Sequence, residues 1–170
     1  MMKEISVQEL MCNPVTMLAD EWMLITAGTK ESGYNTMTIS WGHLGCIWGK
    51  PTAVVYVRPQ RYTKEFVDRE ELFTLTVFPE KYHEALVYLG SHSGRDEDKV
   101  AVSGLTPVFG EGYTAFAEAK MTLVCRKLYR APLTEEGFLD RNVLERNYPQ
   151  RDFHDLYVGE MIKVLVSEED

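Results

Sequence analysis

TAVVYV (Thr52–Val57) and LFTLTVF (Leu72–Phe78), separated by RPQRYTKEFVDREE, decide the fold class of this chain. Both runs are rich in β-branched and aromatic residues and read as strands, the first as a buried one because it barely alternates. Pro59 cannot donate to a sheet ladder, so the first strand ends at Arg58. Phe66 and Val67 among Lys64, Glu65, Asp68 and Arg69 then predict a short helix over Tyr62–Glu71, with Thr63 as its N-cap. Working outward, further strands are expected at Trp22–Ala27, Thr36–Trp41, Ala119–Lys127 and Leu156–Val166, where Gly159 marks a bulge. Short helices are expected over Glu80–Leu89 and over Asp96–Val102, the latter capped by Asp96. These helices lie across strands without regular βαβ alternation, and there is no G-x-G-x-x-G fingerprint. A mainly β architecture follows, a barrel with helical decoration, occupying residues 1–170 as a single domain. From Tyr129 to Arg151 the pattern dissolves, and a connection that long is more often functional or packed across a neighbour than idle.

The chain has 170 residues and a formal charge of −8, which argues against broad nucleic-acid or anionic-membrane binding. Any anion site must therefore be local. Residues 131–170 hold ten acids, Glu169 and Asp170 among them, against four bases, and read as a solvated tail and outer surface. Cys12, Cys46 and Cys125 are too widely spaced for a C-x-x-C pair and suit a reducing cytoplasm. Cys125 reads as buried and Cys46 as exposed. The first residues lack a signal-peptide core, and no stretch is long and apolar enough to span a bilayer.

Three polar segments carry candidate chemistry, and together they suggest a phosphorylated aromatic ligand. In Arg58–Thr63, two guanidinium groups precede a helix N-terminus, which suits an anion. An ordinary turn, with Arg58 and Arg61 paired to surface acids, explains it equally well. Ser91–Lys99 (SHSGRDEDK) offers Ser91 and Ser93 hydroxyls, a Gly94 turn and the charge of Arg95 or Lys99. A polar loop with an Asp N-cap is the commoner source of such a string. Tyr34–Trp41 (YNTMTISW) alternates, so that Thr36, Thr38 and Ser40 share a face toward either a cavity or water, while Met37 and Ile39 point into the core.

His43, His83, His92 and His154 are dispersed, and only His43 with Cys46 approaches a ligand-like spacing. There is no G-x-S-x-G elbow, Walker loop or serine triad. A reactive cofactor is a better source of chemistry than a protein nucleophile.

Taken in order, NTMTISWG (35–42), RPQRYT (58–63), FTLTVF (73–78), GSHSGRDEDK (90–99) and NYPQRDFHDLYVGE (147–160) give the chain its resemblance. It resembles the flavin reductase-like family of FMN-binding split β-barrels, and within it the flavoredoxin-like proteins, from about Trp22 to Val166. The resemblance implies a homodimer with FMN near the subunit interface. Asn35, Thr36, Met37 and Thr38 would lie along the isoalloxazine, largely through backbone groups, with Ser40 and Trp41 completing that edge. Arg58, Arg61, Tyr62 and Thr63 would meet the ribityl phosphate, Ser91, Ser93, Gly94 and Lys99 would close its other side, and His154 and Tyr157 would border the flavin. The implied activity passes electrons from NADH or NADPH through FMN to free flavin or a protein partner. Two alternatives are a flavoredoxin-type carrier without nicotinamide activity and a non-catalytic binding module.

Overall fold

The computed structural model describes residues 2–168. Its strands are β1 (Met2–Ile5), β2 (Met23–Thr29), β3 (Gly33–Ile39), β4 (Gly42–Ile47), β5 (Lys50–Val57), β6 (Leu72–Val77), β7 (Pro107–Gly110), β8 (Tyr113–Phe116), β9 (Met121–Pro132) and β10 (Asp155–Ser167). The helices are short: α1 (Pro14–Thr16), which runs on as a π-turn over Met17–Glu21, α2 (Thr63–Arg69), α3 (His83–Ser91), α4 (Lys99–Ser103) and α5 (Arg141–Asn147). Seven strands pair in the order β3-β2-β6-β9-β10-β5-β4, with β1 added to β10 and β7-β8 forming a separate hairpin. The outer strands β3 and β4 do not pair with each other, so the sheet wraps round without closing. Ser40 and Trp41 bridge that split.

Two hydrophobic layers cover the two faces of the sheet. Met23, Ile25, Met37, Val55, Val57, Phe73, Leu75, Leu123 and Tyr157 fill the inside of the wrapped sheet. On the outside, α3 and α4 bring Leu86, Leu89 and Val100 against Leu24, Phe78 and Phe116. Covering both faces buries every residue of β2 from Met23 to Gly28, which is why its sequence is largely apolar, broken only by the buried Thr26, and shows little alternation. Gly159 sits at a register shift of β10 against β9, as expected. A Cβ there would come within 2.6 Å of Phe73 Cζ and 2.9 Å of Cys125 Cβ, so the bulge needs glycine for space.

Three local expectations are corrected. Thr63 is not the N-cap of α2. It is the first helical residue, buried, and its hydroxyl accepts from Asn35 Nδ2 at 2.9 Å. The helix at 96–102 starts at Lys99 and is capped by Asp98, whose Oδ1 accepts from the Ala101 amide at 3.1 Å, and not by Asp96. The acid-rich end is not a solvated tail. Residues 155–167 form a central strand, where Glu160 pairs with Lys50 and Asp155 with Lys64. Glu169 and Asp170 lie outside the described residues. Cys125 is buried, and Cys12 and Cys46 are exposed.

The unpatterned stretch becomes ordered by its neighbours. β9 continues to Pro132, and the rest forms a strap whose helix α5 inserts the fully buried Leu144. Arg151, held at a positive φ of 57°, ties the strap together through Glu135 and Glu145.

Candidate functional site

The β5–α2 turn, the inner face of β3 and the α3–α4 loop meet around one cavity of about 370 Å³. Ten of the expected residues line it: Asn35, Met37, Arg58, Arg61, Tyr62, Thr63, Ser91, Ser93, Gly94 and Lys99. The alternation of β3 decides which of its side chains take part. Asn35 and Met37 face the cavity, whereas Thr36 and Thr38 point the other way. Thr36 Oγ1 lies 2.8 Å from Thr26 Oγ1 and donates to the Ile25 carbonyl, while Thr38 Oγ1 donates to the Leu86 carbonyl. Thr36 and Thr38 of the expected polar face are therefore sealed against β2 and α3, Ser40 alone of the three remains exposed, and it is the Asn35–Met37 face that opens on this cavity.

The cations around the cavity differ in what they are free to do. Arg58 pairs with Asp152, donates to the Asn147 carbonyl at 2.9 Å and lies 5.0 Å from the Tyr148 ring centroid. These contacts tie Arg58 to the strap while it still lines the cavity. Arg61 donates to the Gly90 carbonyl at 2.9 Å and has no carboxylate partner among the described residues, leaving most of its donor fork open. Lys99 is 3% exposed and spends two of its three N–H donors on the Leu89 and His92 carbonyls, at 2.8 and 2.9 Å. Burial, then the nearby Arg61 charge, lowers its pKa to about 8, so it stays mostly protonated at neutral pH.

Backbone geometry completes the cradle. A Cβ at Gly94 would lie 2.3 Å from Asn35 Oδ1, so only glycine lets the α3–α4 loop approach β3 this closely. The first amides of α2 contribute less than its sequence suggested. Lys64 and Glu65 already donate to the Arg61 and Tyr62 carbonyls.

Ser40 and Trp41 line a second, larger cavity of about 650 Å³, walled by Leu18 and Val15 near α1, Tyr56 of β5, and Phe138, Val143 and Tyr148 of the strap. None of its lining residues is Asp, Glu, Lys or Arg. His154 stands behind this wall, its ring 5.0 Å from Trp41 and its Nδ1 2.7 Å from Tyr148 Oη. Burial, then the Arg58 charge, lowers its pKa to about 4, which keeps it neutral near pH 7. Tyr157 is not brought to either cavity. It lies in the core and donates to Asp68 Oδ1 at 2.7 Å, beside Lys64.

The sequence reading missed Tyr56, Phe138 and Tyr148. The only trace of the last two was the spacing of Phe138, Tyr148 and Phe153, whose rings pack together in the structure.

Residues 16–170 match the model of the flavin reductase like domain, and the chain belongs to that family. No curated protein sequence matches it. Among solved structures, it resembles the FMN-binding domain of a flavin reductases-like enzyme from Shewanella baltica, with a TM-score of 0.69 and 16% identity over 97% of this chain and 76% of that one. Flavoredoxin of Desulfovibrio vulgaris gives a TM-score of 0.67 and 24% identity over 86% of this chain and 69% of that one. A split barrel domain protein from Shewanella frigidimarina gives 0.68 and 16% over 88% and 68%. At these identities the likeness establishes the split-barrel fold.

Proposed function

We propose that the chain is an FMN-dependent oxidoreductase that passes electrons from NADH or NADPH, through bound FMN, to free flavin or a protein acceptor. The observation that carries this reading is the pair Arg61 and Lys99. Neither has a carboxylate partner among the described residues, and both line the cavity that also holds Ser91, Ser93 and Gly94. Lys99 is buried, and burying a cation without a counter-ion is costly unless an anion arrives to share the site, while Arg61 is exposed and keeps open donors beside it. A terminal phosphate suits it, taking charge-assisted bonds from the Arg61 fork and the third N–H of Lys99.

The flavin ring fits along β3 beyond that cradle. Because β3 pairs only with β2, its other edge leaves main-chain groups of residues 35–38 unpaired in the sheet, available to the polar edge of a heterocycle. Thr36 and Thr38 act there through their backbone, their hydroxyls being committed elsewhere. Met37, Ser40 and Trp41 border the ring, Tyr62 and Thr63 support its phosphate side, and neutral His154 backs the wall near Trp41. Arg58 orients the strap instead of binding phosphate, and Tyr157 has no part. Bound FMN supplies the hydride-accepting and electron-donating chemistry, while these residues bind it, orient it and limit water.

In this reading the protein works in the cytoplasm as a homodimer, and exposed Ile47, Trp48 and Tyr129 offer apolar surface to a second copy. No helix among the described residues is long and apolar enough to cross a membrane. Anaerobic addition of NADH or NADPH to FMN-loaded protein tests the activity. Bleaching of the flavin spectrum, with multiple turnover of free flavin, is the expected result. A spectrum that persists rejects nicotinamide use and leaves the flavoredoxin-type carrier. That second reading is favoured by the uncharged second cavity, which offers no lysine or arginine to a dinucleotide pyrophosphate.

A further inference from the structure

One arginine of the α3–α4 loop does not line the charged cavity. Arg95 reaches instead across to the β5–α2 turn. Its guanidinium pairs with Glu65 in the first turn of α2, lies 4.6 Å from the Tyr62 ring centroid and donates to the Gln60 carbonyl at 3.4 Å. Ser93 and Gly94, just before it in the chain, line one side of the cavity, and Tyr62 lines the other. Arg61 makes the reciprocal crossing, from the turn to the Gly90 carbonyl. Among the described residues, these two arginines supply every hydrogen bond and ion pair between residues 90–99 and 58–65. The loop is also braced within itself. Tyr88 Oη donates to Glu97 at 2.8 Å, the Arg95 amide donates to Ser93 Oγ at 3.2 Å, and Lys99 ties the loop to the end of α3 through the Leu89 and His92 carbonyls.

We propose that Arg95 is a positioning residue, a clasp that holds the α3–α4 loop against the β5–α2 turn and so sets how fast bound FMN is released. The proposal rests on the FMN reading above. Arg61 keeps open donors for a phosphate, whereas Arg95 already faces a carboxylate, so its work is to join the two walls of the cradle. The Arg95 and Glu65 side chains are 45% and 61% exposed, which makes the pair weak enough to open and sensitive to salt, and the Tyr62 ring face adds to it. When the clasp opens, Ser93 and Gly94 draw back from the phosphate while the contacts of β3 with the flavin ring remain. The clasp therefore retains a phosphorylated flavin and has little hold on riboflavin.

The test loads the full chain with radiolabelled FMN, chases it with unlabelled FMN and follows the rate at which label leaves. Arg95→Ala and Glu65→Gln are each expected to speed release roughly tenfold, with riboflavin release within roughly twofold of wild type. Combining Arg95→Glu with Glu65→Arg should return release close to the wild-type rate, although either reversal alone is fast. Unchanged release from Arg95→Ala, or no recovery in the doubly reversed protein, overturns the proposal. So does weaker FMN binding by Arg95→Ala together with tighter binding by Glu65→Gln, which would make Arg95 a phosphate donor. Hydrogen exchange of residues 90–98 in ligand-free protein is expected to quicken in Arg95→Ala and Glu65→Gln and to recover in the doubly reversed protein; unchanged exchange also overturns the clasp. Wild-type protein that takes up no FMN would reject the function proposed above, and the release role with it, while faster loop exchange in the variants would still uphold the clasp.

Discussion

The Arg58 guanidinium lies 5.0 Å from the Tyr148 ring centroid, and this contact is the partition between the two cavities. Arg58 lines the charged one and Tyr148 the apolar one. The same guanidinium bonds Asp152 and the Asn147 carbonyl, so the strap that roofs one cavity is anchored from within the other.

Arg61 and Arg58 are therefore expected to separate in mutagenesis. Arg61→Ala removes a charged donor from the phosphate cradle, a loss of about 1.5–3 kcal/mol, or roughly tenfold to a hundredfold in FMN affinity. Riboflavin, which lacks the phosphate, should bind almost as before. Arg58→Ala should instead lower the urea midpoint through a loosened strap. Calorimetric titration with both flavins checks this, and equal weakening of FMN and riboflavin by Arg61→Ala would remove Arg61 from the phosphate.

Lys99 makes FMN binding pH-dependent. Its folded pKa, about 8, lies below the ordinary 10.5, so between those values the unfolded chain holds a proton that the folded one has released. Stability of the ligand-free protein should rise with pH across that window, by at most about 3 kcal/mol. FMN affinity should fall over the same range as the ammonium is lost. Lys99→Met should flatten both profiles, and an FMN affinity constant from pH 7 to 10 would rule Lys99 out as a phosphate donor.

His154 should set the acid limit. Its folded pKa, about 4, is below the ordinary 6.5, so the unfolded chain binds the proton first. Stability present above pH 6.5 is lost as the pH falls toward 4, by at most about 3 kcal/mol. His154→Gln is expected to reduce that slope in urea denaturation series, and an unchanged slope would locate the acid sensitivity elsewhere.

Gly94→Ala tests the cradle's backbone. The added methyl would meet Asn35 Oδ1, so the Asn35 amide must turn away and weaken the hydrogen bond that its Nδ2 donates to Thr63. FMN affinity should drop at least roughly tenfold with a smaller proportional change in the melting temperature. Retained affinity would show that the loop can move without cost.

Much of this molecule was readable from its residues because local patterns agreed with the final packing. β5 and β6 show their β-branched and aromatic runs openly and α2 its buried edge, while Pro59 marks a strand end through its missing donor and Gly159 a bulge through lack of space. The misreadings arose where a distant partner decided the outcome. Thr63 looks like a cap until Asn35, 28 residues away, takes its hydroxyl. Thr36 and Thr38 look like a polar cavity face until α3 covers them, and Tyr157 looks like part of a site motif until the core claims it. Tyr148 had no periodic neighbours to announce it, since its position depends on Arg58 in the distant β5–α2 turn.

The strand order also dictates when the site can exist. β10 alone joins the β3-β2-β6-β9 half of the sheet to the β5-β4 half, and it follows every other strand along the chain. Asn35 is carried by the first half, whereas Arg58 follows directly on β5 of the other, so the wall shared by the two cavities stays unregistered until those distant pairings form, a slow and entropically expensive event. The strap then has no anchor in an early folding intermediate, and the apolar cavity would take shape only after the two halves had joined.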